Sequence, residues 1–281
     1  MRTSYKKLFR FYNEDKLNDF LASNDINSTD SYGNTLMHVA VYNENLKFVI
    51  YLLSQYPDLS ITNHKWLNPI EIASMINNPV ILENLIRQEP SKNNDALACA
   101  SSYGLLENVK ILLSNGYDIN RFDCRGRTSL HLATQENKLE VVKYLCESGA
   151  LMDICDSDGF TPLIHASAEY SDIVKYLISK EANPDLHTDC PAIVLATAWD
   201  NFQSVKHLVE AGANINLRDN DGRTALFYAV IRENKVIKSY LLKNGASVDL
   251  IDDEGYLISD LIDNKEAREK LYFELYEEDF K

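Results

Sequence analysis

An all-α solenoid of stacked helix pairs is the fold this sequence predicts, and three observations carry the prediction. The stretch Asp123-Cys124-Arg125-Gly126-Arg127-Thr128-Ser129-Leu130-His131-Leu132-Ala133 recurs as Asp156-x-x-Gly159-x-Thr161-Pro162-Leu163 with Ala166, and the two aspartates lie 33 residues apart. The same step separates Asp219-x-x-Gly222-x-Thr224 from Asp252-x-x-Gly255. Between these turns, apolar residues return every three to four positions, the period of a helix with one buried stripe. A repeat of this length buries its apolar face only against its neighbours, so one continuous core replaces several separate ones.

Aligned on one small residue per unit, the anchors fall at Ala40, Ala73, Ala100, Ala133, Ala166, Ala196 and Ala229, with gaps of 33, 27, 33, 33, 30 and 33 residues. Each unit reads as a turn, a short inner helix ending just past the anchor, a tight loop, a longer outer helix and a polar loop. The outer-helix stripes assigned to the core are Leu46, Val49, Leu52 and Leu53; Leu82, Leu85 and Ile86; Val109, Leu112 and Leu113; Val142 and Leu145; Val205, Leu208 and Val209; Ile237, Leu241 and Leu242. Residues 1–29 read as an N-terminal capping repeat, with Leu8, Phe9 and Phe11 on one helix and Leu17, Phe20 and Leu21 on a second. Residues 30–251 hold seven units. Residues 252–281 form a C-terminal cap of two helices, and from Asp249 onward twelve acidic residues face four basic ones.

Two units depart from the pattern. The second, from Asn63, has Trp66 where the turn glycine belongs and Asn68-Pro69-Ile70 in place of Thr-Pro-Leu. Pro79 in its loop must open a helix, since it can donate no backbone N–H within one. The third unit is six residues short and the sixth, around Cys190-Pro191-Ala192, is three short, so the projecting turns are expected to be shortened at both.

Thr-x-x-His at Thr35/His38 and Thr128/His131, with the 33-residue period, is the signature of one repeat class, and over nearly its whole length the sequence resembles the ankyrin-repeat family. The resemblance implies hairpin fingers, a threonine capping each inner helix, and a histidine donating to the neighbouring turn. It implies no cofactor. In the family the partner lies in a concave surface formed by fingers and inner helices. Carried over position by position, that surface comprises Tyr42, Met75, Tyr103, Gln135, Glu136, Glu169, Trp199 and Arg232, joined by the finger residues Arg125, Arg127 and Phe160. Tyr32, Asn34, Asp158, Asp221 and Arg223 complete the finger rank as solvated turn residues, and Trp66 either extends that rank or plugs its own turn, the second being preferred. Trp, Tyr and Arg are the side chains on which interface energy concentrates. For Trp199 two readings stand: a binding hot spot, or a ring folded over the shortened finger of its own unit.

Composition narrows the function. A formal charge of −14 disfavours a binder of the phosphate backbone and suits a basic protein partner. No apolar run approaches the roughly 18 residues of a membrane span, and the N-terminus lacks the apolar segment of a secretory leader. Five cysteines without a C-x-x-C pair point to free thiols in a reducing, cytoplasmic setting. His187, Asp189 and Cys190 are the only close cluster of metal-ligating types, and no second half accompanies them. No G-x-S-x-G, phosphate loop or H-E-x-x-H is present. The expectation is a non-enzymatic, monomeric protein that binds another protein, with no nucleic acid or membrane as partner. Its role is either that of an adaptor or that of an inhibitor, such as an immunity protein for a toxin or a host-directed effector.

Overall fold

The computed structural model describes residues 21–266 apart from 90, 93, 187 and 188. The N-terminal helices expected around Leu8, Phe9, Phe11, Leu17 and Phe20, and the last helix expected around Leu271, Phe273 and Leu275, lie outside the described residues, as does His187 of the sequence cluster. Among the described residues there are fifteen helices and no strand, and β pairing is confined to the bridges Arg218–Thr224 and Ile251–Leu257.

The chain divides into two compact units, Met1–Ile119 and Asn120–Lys281. In the first, the inner helices are α1 (Leu36–Tyr42), α3 (Pro69–Ser74) and α5 (Ala96–Tyr103), and the outer helices are α2 (Leu46–Leu53), α4 (Pro79–Gln88) and α6 (Leu106–Ser114). The second has inner helices α7 (Ser129–Gln135), α9 (Pro162–Ser167), α11 (Ala192–Ala198), α13 (Ala225–Ile231) and α15 (Ile258–Asp263), with outer helices α8 (Leu139–Glu147), α10 (Ser171–Ser179), α12 (Phe202–Glu210) and α14 (Lys235–Lys243). Within each unit, inner helices pack on inner, outer on outer, and each inner helix before α15 on the outer helix that follows it. All seven anchor alanines are fully buried. Leu52, Leu82, Leu85, Leu112, Val142, Leu145, Val205, Leu208, Ile237 and Leu241 are buried as expected, whereas Leu46, Leu113 and Val209 are half-buried and Leu242 is exposed. Leu242 follows Leu241 by one residue, about 100° further round the helix, which turns it off the stripe that Ile237 and Leu241 share.

The turns explain the repeat. Asp30, Asp123, Asp156, Asp219 and Asp252 each accept, on Oδ1, the backbone N–H groups two and four residues on, at 2.8–3.1 Å. Asn63 does the same with its amide oxygen for Lys65 and Leu67. Consecutive turns are then tied by the backbone: His64 N–H donates to Tyr32 O, Ser157 to Arg125 O and Asp253 to Asp221 O. This closeness is why Gly33, at φ 77°, has no room for a side chain; a Cβ there would lie 2.7 Å from the His64 ring.

Capping supplies the next layer. Thr35 N–H donates to His38 Nδ1 at 3.1 Å, which leaves the proton on Nε2 to reach Leu67 O at 3.0 Å, in the next turn. His131 repeats this with Thr128, and its Nε2 donates to Ile154 O and Phe160 O, both at 3.1 Å. In the divergent second unit Glu71 takes over the histidine's place. Its Oε2 accepts Asn68 N–H at 2.8 Å and its Oε1 accepts Asp95 N–H at 3.0 Å, so a carboxylate reaches the short segment before α5. Pro79 is the first residue of α4, behind the N-cap Asn78.

Candidate functional site

Inner-helix ends and turns carry the side chains singled out by the sequence, and the two units present them separately. In the first, Tyr42 ends α1 and Tyr103 ends α5, 47% and 58% exposed, while Met75 caps α3 and is half-buried. Between the first two turns and α1 lies a cavity of about 550 Å³ lined by Asp30, Tyr32, Asn34, Val39, Tyr42, Asn43, Asn63, His64 and Lys65. Trp66 is not a plug. It is 84% exposed and holds a φ of 61° at the position that is glycine in the other turns, so its indole projects into solvent from the fingertip.

In the second unit the structure joins several expected residues through groups that sequence reasoning did not single out. Arg127 pairs with Asp123 Oδ2 at 2.8 Å and donates to Gln135 Oε1 at 3.1 Å. The Gln135 amide lies 3.1 Å from His165, whose Nε2 pairs with Asp156 Oδ2 at 2.7 Å. Phe160 is half-buried with its ring edge-on to His165, 5.3 Å between centroids, so it is not a free apolar finger. Burial works against the Asp156 carboxylate, but the His165 hydrogen bond and the N–H groups of Phe160 and Asp158 outweigh it and hold the group below its ordinary range. The signal that was available is the spacing: His165 follows its turn aspartate by nine residues, as Tyr228 follows Asp219, whose Oδ2 accepts the phenol at 2.7 Å.

Arg125, Glu136 and Glu169 are exposed. Trp199 caps the C-terminus of α11 and stands 58% exposed, more in water than folded over its own unit, where Asp189 O still accepts Asn220 N–H from the next turn. Arg232 is half-buried and pairs with Asp200 at 2.9 Å. Arg223, expected to be a solvated finger residue, is instead 2% exposed: its Nε donates to the buried Asp252 at 3.1 Å, and its guanidinium lies 5.6 Å from the Phe227 ring centroid. The paired carboxylate and the ring together make burial of that charge tolerable.

The five cysteines are free thiols. Burial pushes Cys99 and Cys190 up to about 12 and Cys146 to about 11, which keeps these three protonated near neutrality. Among the described residues, no three His, Cys, Asp or Glu side chains are placed to hold a metal ion, and no helix is long and apolar enough to cross a membrane.

The sequence profile of ankyrin repeats (3 copies) matches residues 70–155, 97–188 and 192–258, and that of ankyrin repeats (many copies) matches 12–53. The chain belongs to the ankyrin-repeat family. Ankyrin repeats support a role in binding other proteins rather than catalysis. Among known proteins, the chain is similar to an L-asparaginase of Dirofilaria immitis, 31% identical over 160 residues that make up 56% of this chain and 27% of that protein. It is also similar to Transient receptor potential cation channel subfamily A member 1 of Homo sapiens, 26% identical over 82% of this chain and 26% of that one. NF-kappa-B inhibitor zeta of Bos taurus is 28% identical over 57% of this chain and 24% of its own length. The chain thus spans about a quarter of the length of each of these relatives.

Proposed function

We propose that this chain is a non-catalytic, monomeric, cytoplasmic ankyrin-repeat protein that grips a basic partner protein on the faces formed by its inner helices and fingers. Its divisions are a capping repeat over 1–29, seven units over 30–251 with two short fingers, and an acidic cap over 252–281. The observation that carries the reading is the register of three exposed aromatics: Tyr42, Tyr103 and Trp199 each stand two or three residues past an anchor alanine, at the ends of α1, α5 and α11. A ring left half in water at a repeated position gains by being covered, and a rigid ring loses little entropy when it is.

The test is capture of a partner on the immobilised full chain, followed by calorimetry with the purified partner. Trp199→Ala weakens the complex about thirtyfold, or about 2 kcal/mol, while Tm stays unchanged. A lowered Tm with unaltered affinity assigns the ring to the fold instead. A second reading, inhibition, is favoured by the name of one relative, NF-kappa-B inhibitor zeta, and by the charge of −14. Under it the chain acts as an immunity protein or an effector, and the captured partner loses its activity when the complex forms; several weakly held partners with unchanged activity favour an adaptor.

A further inference from the structure

In four of the five turns that open on aspartate, the second carboxylate oxygen is also taken. Arg127 Nε donates to Asp123 Oδ2 at 3.0 Å, His165 lies 2.7 Å from Asp156 Oδ2, the Tyr228 hydroxyl donates to Asp219 Oδ2 at 2.7 Å, and Arg223 Nε donates to Asp252 Oδ2 at 3.1 Å. Asp30 is the exception. Nine residues on, where the other turns offer His165 or Tyr228, it has Val39, which carries no donor. Asp30 is 4% exposed, and its Oδ1 accepts Tyr32 and Asn34 N–H. Among the described residues no hydrogen bond or ion pair reaches Oδ2.

Several neighbouring donors are engaged elsewhere. Both ring nitrogens of His38 are used, by Thr35 and Leu67, Asn43 Nδ2 donates to Val39 O, and Asn63 Nδ2 donates to Asn34 Oδ1. Lys65 lines the same cavity and forms no ion pair with Asp30. Asp30 is buried as a residue, yet its second oxygen is not among the side-chain atoms sealed from solvent without a partner, and the residue lines a cavity of about 550 Å³ together with Tyr32 and Tyr42, so a donor can reach the carboxylate from outside.

We infer that this cavity receives an arginine side chain of the partner protein, whose guanidinium closes on Asp30 Oδ2 and lies against the Tyr32 and Tyr42 rings. The inference rests on the protein-binding reading and names what that partner must carry. A guanidinium suits the place better than an ammonium because it is planar, offers forked donors and stacks on aromatic faces. The chain fills the corresponding oxygen with its own arginine twice, at Asp123 and at Asp252, the second time with the guanidinium close to the Phe227 ring.

The decisive experiment titrates N-acetyl-arginine amide, and its neutral isostere N-acetyl-citrulline amide, into the isotope-labelled full chain and follows backbone amide shifts. The arginine compound produces saturable shifts at Tyr32, Asn34 and Tyr42, and the citrulline compound binds at least tenfold more weakly. Asp30→Asn abolishes the difference while keeping the turn, since Asn63 already supports the next turn through its amide oxygen. Val39→His, which supplies the donor that His165 gives Asp156, closes the site without removing the carboxylate. Equal response to both compounds, no response, or undiminished arginine binding in Asp30→Asn overturns the inference. With the captured partner in hand, Asp30→Asn weakens binding at least tenfold; full retention there sinks the arginine site and leaves the protein-binding reading standing, whereas failure to capture any protein counts against that reading and leaves the titration to decide the site.

Discussion

His131 shows how a single side chain links the repeat to pH. Burial first, then the neighbouring His165, lowers its pKa from the ordinary 6.5 to about 4, against the pull of the Phe160 and Ile154 carbonyls and of Asp156. Its unfolded form therefore binds a proton that the folded form refuses between about pH 6.5 and 4, so stability rises with pH through that window and is lost as pH falls through it. The full difference amounts to roughly 3 kcal/mol, and His38, also lowered by burial, adds in the same direction. The carboxylates held below their ordinary 3.8, Asp123 and Asp156 among them, lose their contribution only at more acid pH. Urea titrations at pH 7 and pH 4.5 should show a marked fall in midpoint that His131→Gln reduces; an unchanged midpoint would mean that His131 titrates alike folded and unfolded. The role of His131 was legible because Thr-x-x-His is a local pattern. Arg223 was not, since its burial depends on Asp252, 29 residues away in the next turn, and on Phe227 beneath it.

At the scale of the turn and the helix, the 33-residue step and the alanine anchors located the seven inner helices from α1 to α13 because both record local needs: a carboxylate to collect two N–H groups, and a small residue where helices meet. The left-handed positions between helices were less visible. Glu44, Asn137, Asp200 and Glu233 all take φ between 51° and 55°, four residues past their anchors, with no glycine to announce them. Trp66 is the extreme case, and the pattern of Gly33, Gly126, Gly159, Gly222 and Gly255 at its position makes a prediction. A non-glycine residue in the left-handed region costs about 1 kcal/mol, partly offset because glycine has more freedom to lose on folding. With the indole in solvent and holding nothing, Trp66→Gly should leave stability unchanged or raise it by up to about 1 kcal/mol, read from the urea midpoint. A clear fall in midpoint would show that the ring packs its turn after all.

For the whole molecule, charge is the property that composition already displays, and among the described residues the fold leaves part of it at the surface. Of the formal −14, a balance of −8 falls between Asp249 and Lys281, the stretch that holds the proposed acidic cap. Paired carboxylates such as Asp123, Asp156 and Asp252 are consumed inside the turns, but Asp221, Asp253 and Glu254 remain exposed around Arg218 and Arg223. An exposed pair such as Arg218–Asp253 adds little stability in water. The long-range field of the exposed carboxylates acts instead on encounter, raising the association rate of an oppositely charged partner by about 10- to 1,000-fold at low salt. Since the screening length shrinks from about 30 Å at 0.01 M to about 3 Å at 1 M, the association rate with a basic partner should fall at least about tenfold across that range. The dissociation rate, which the proposed short-range contacts of Tyr42, Tyr103 and Trp199 would govern, should change far less. Stopped-flow measurements over a salt series separate the two: an association rate that stays flat would show that the acidic surface serves solubility alone, and that the partner is not recognised by its positive charge.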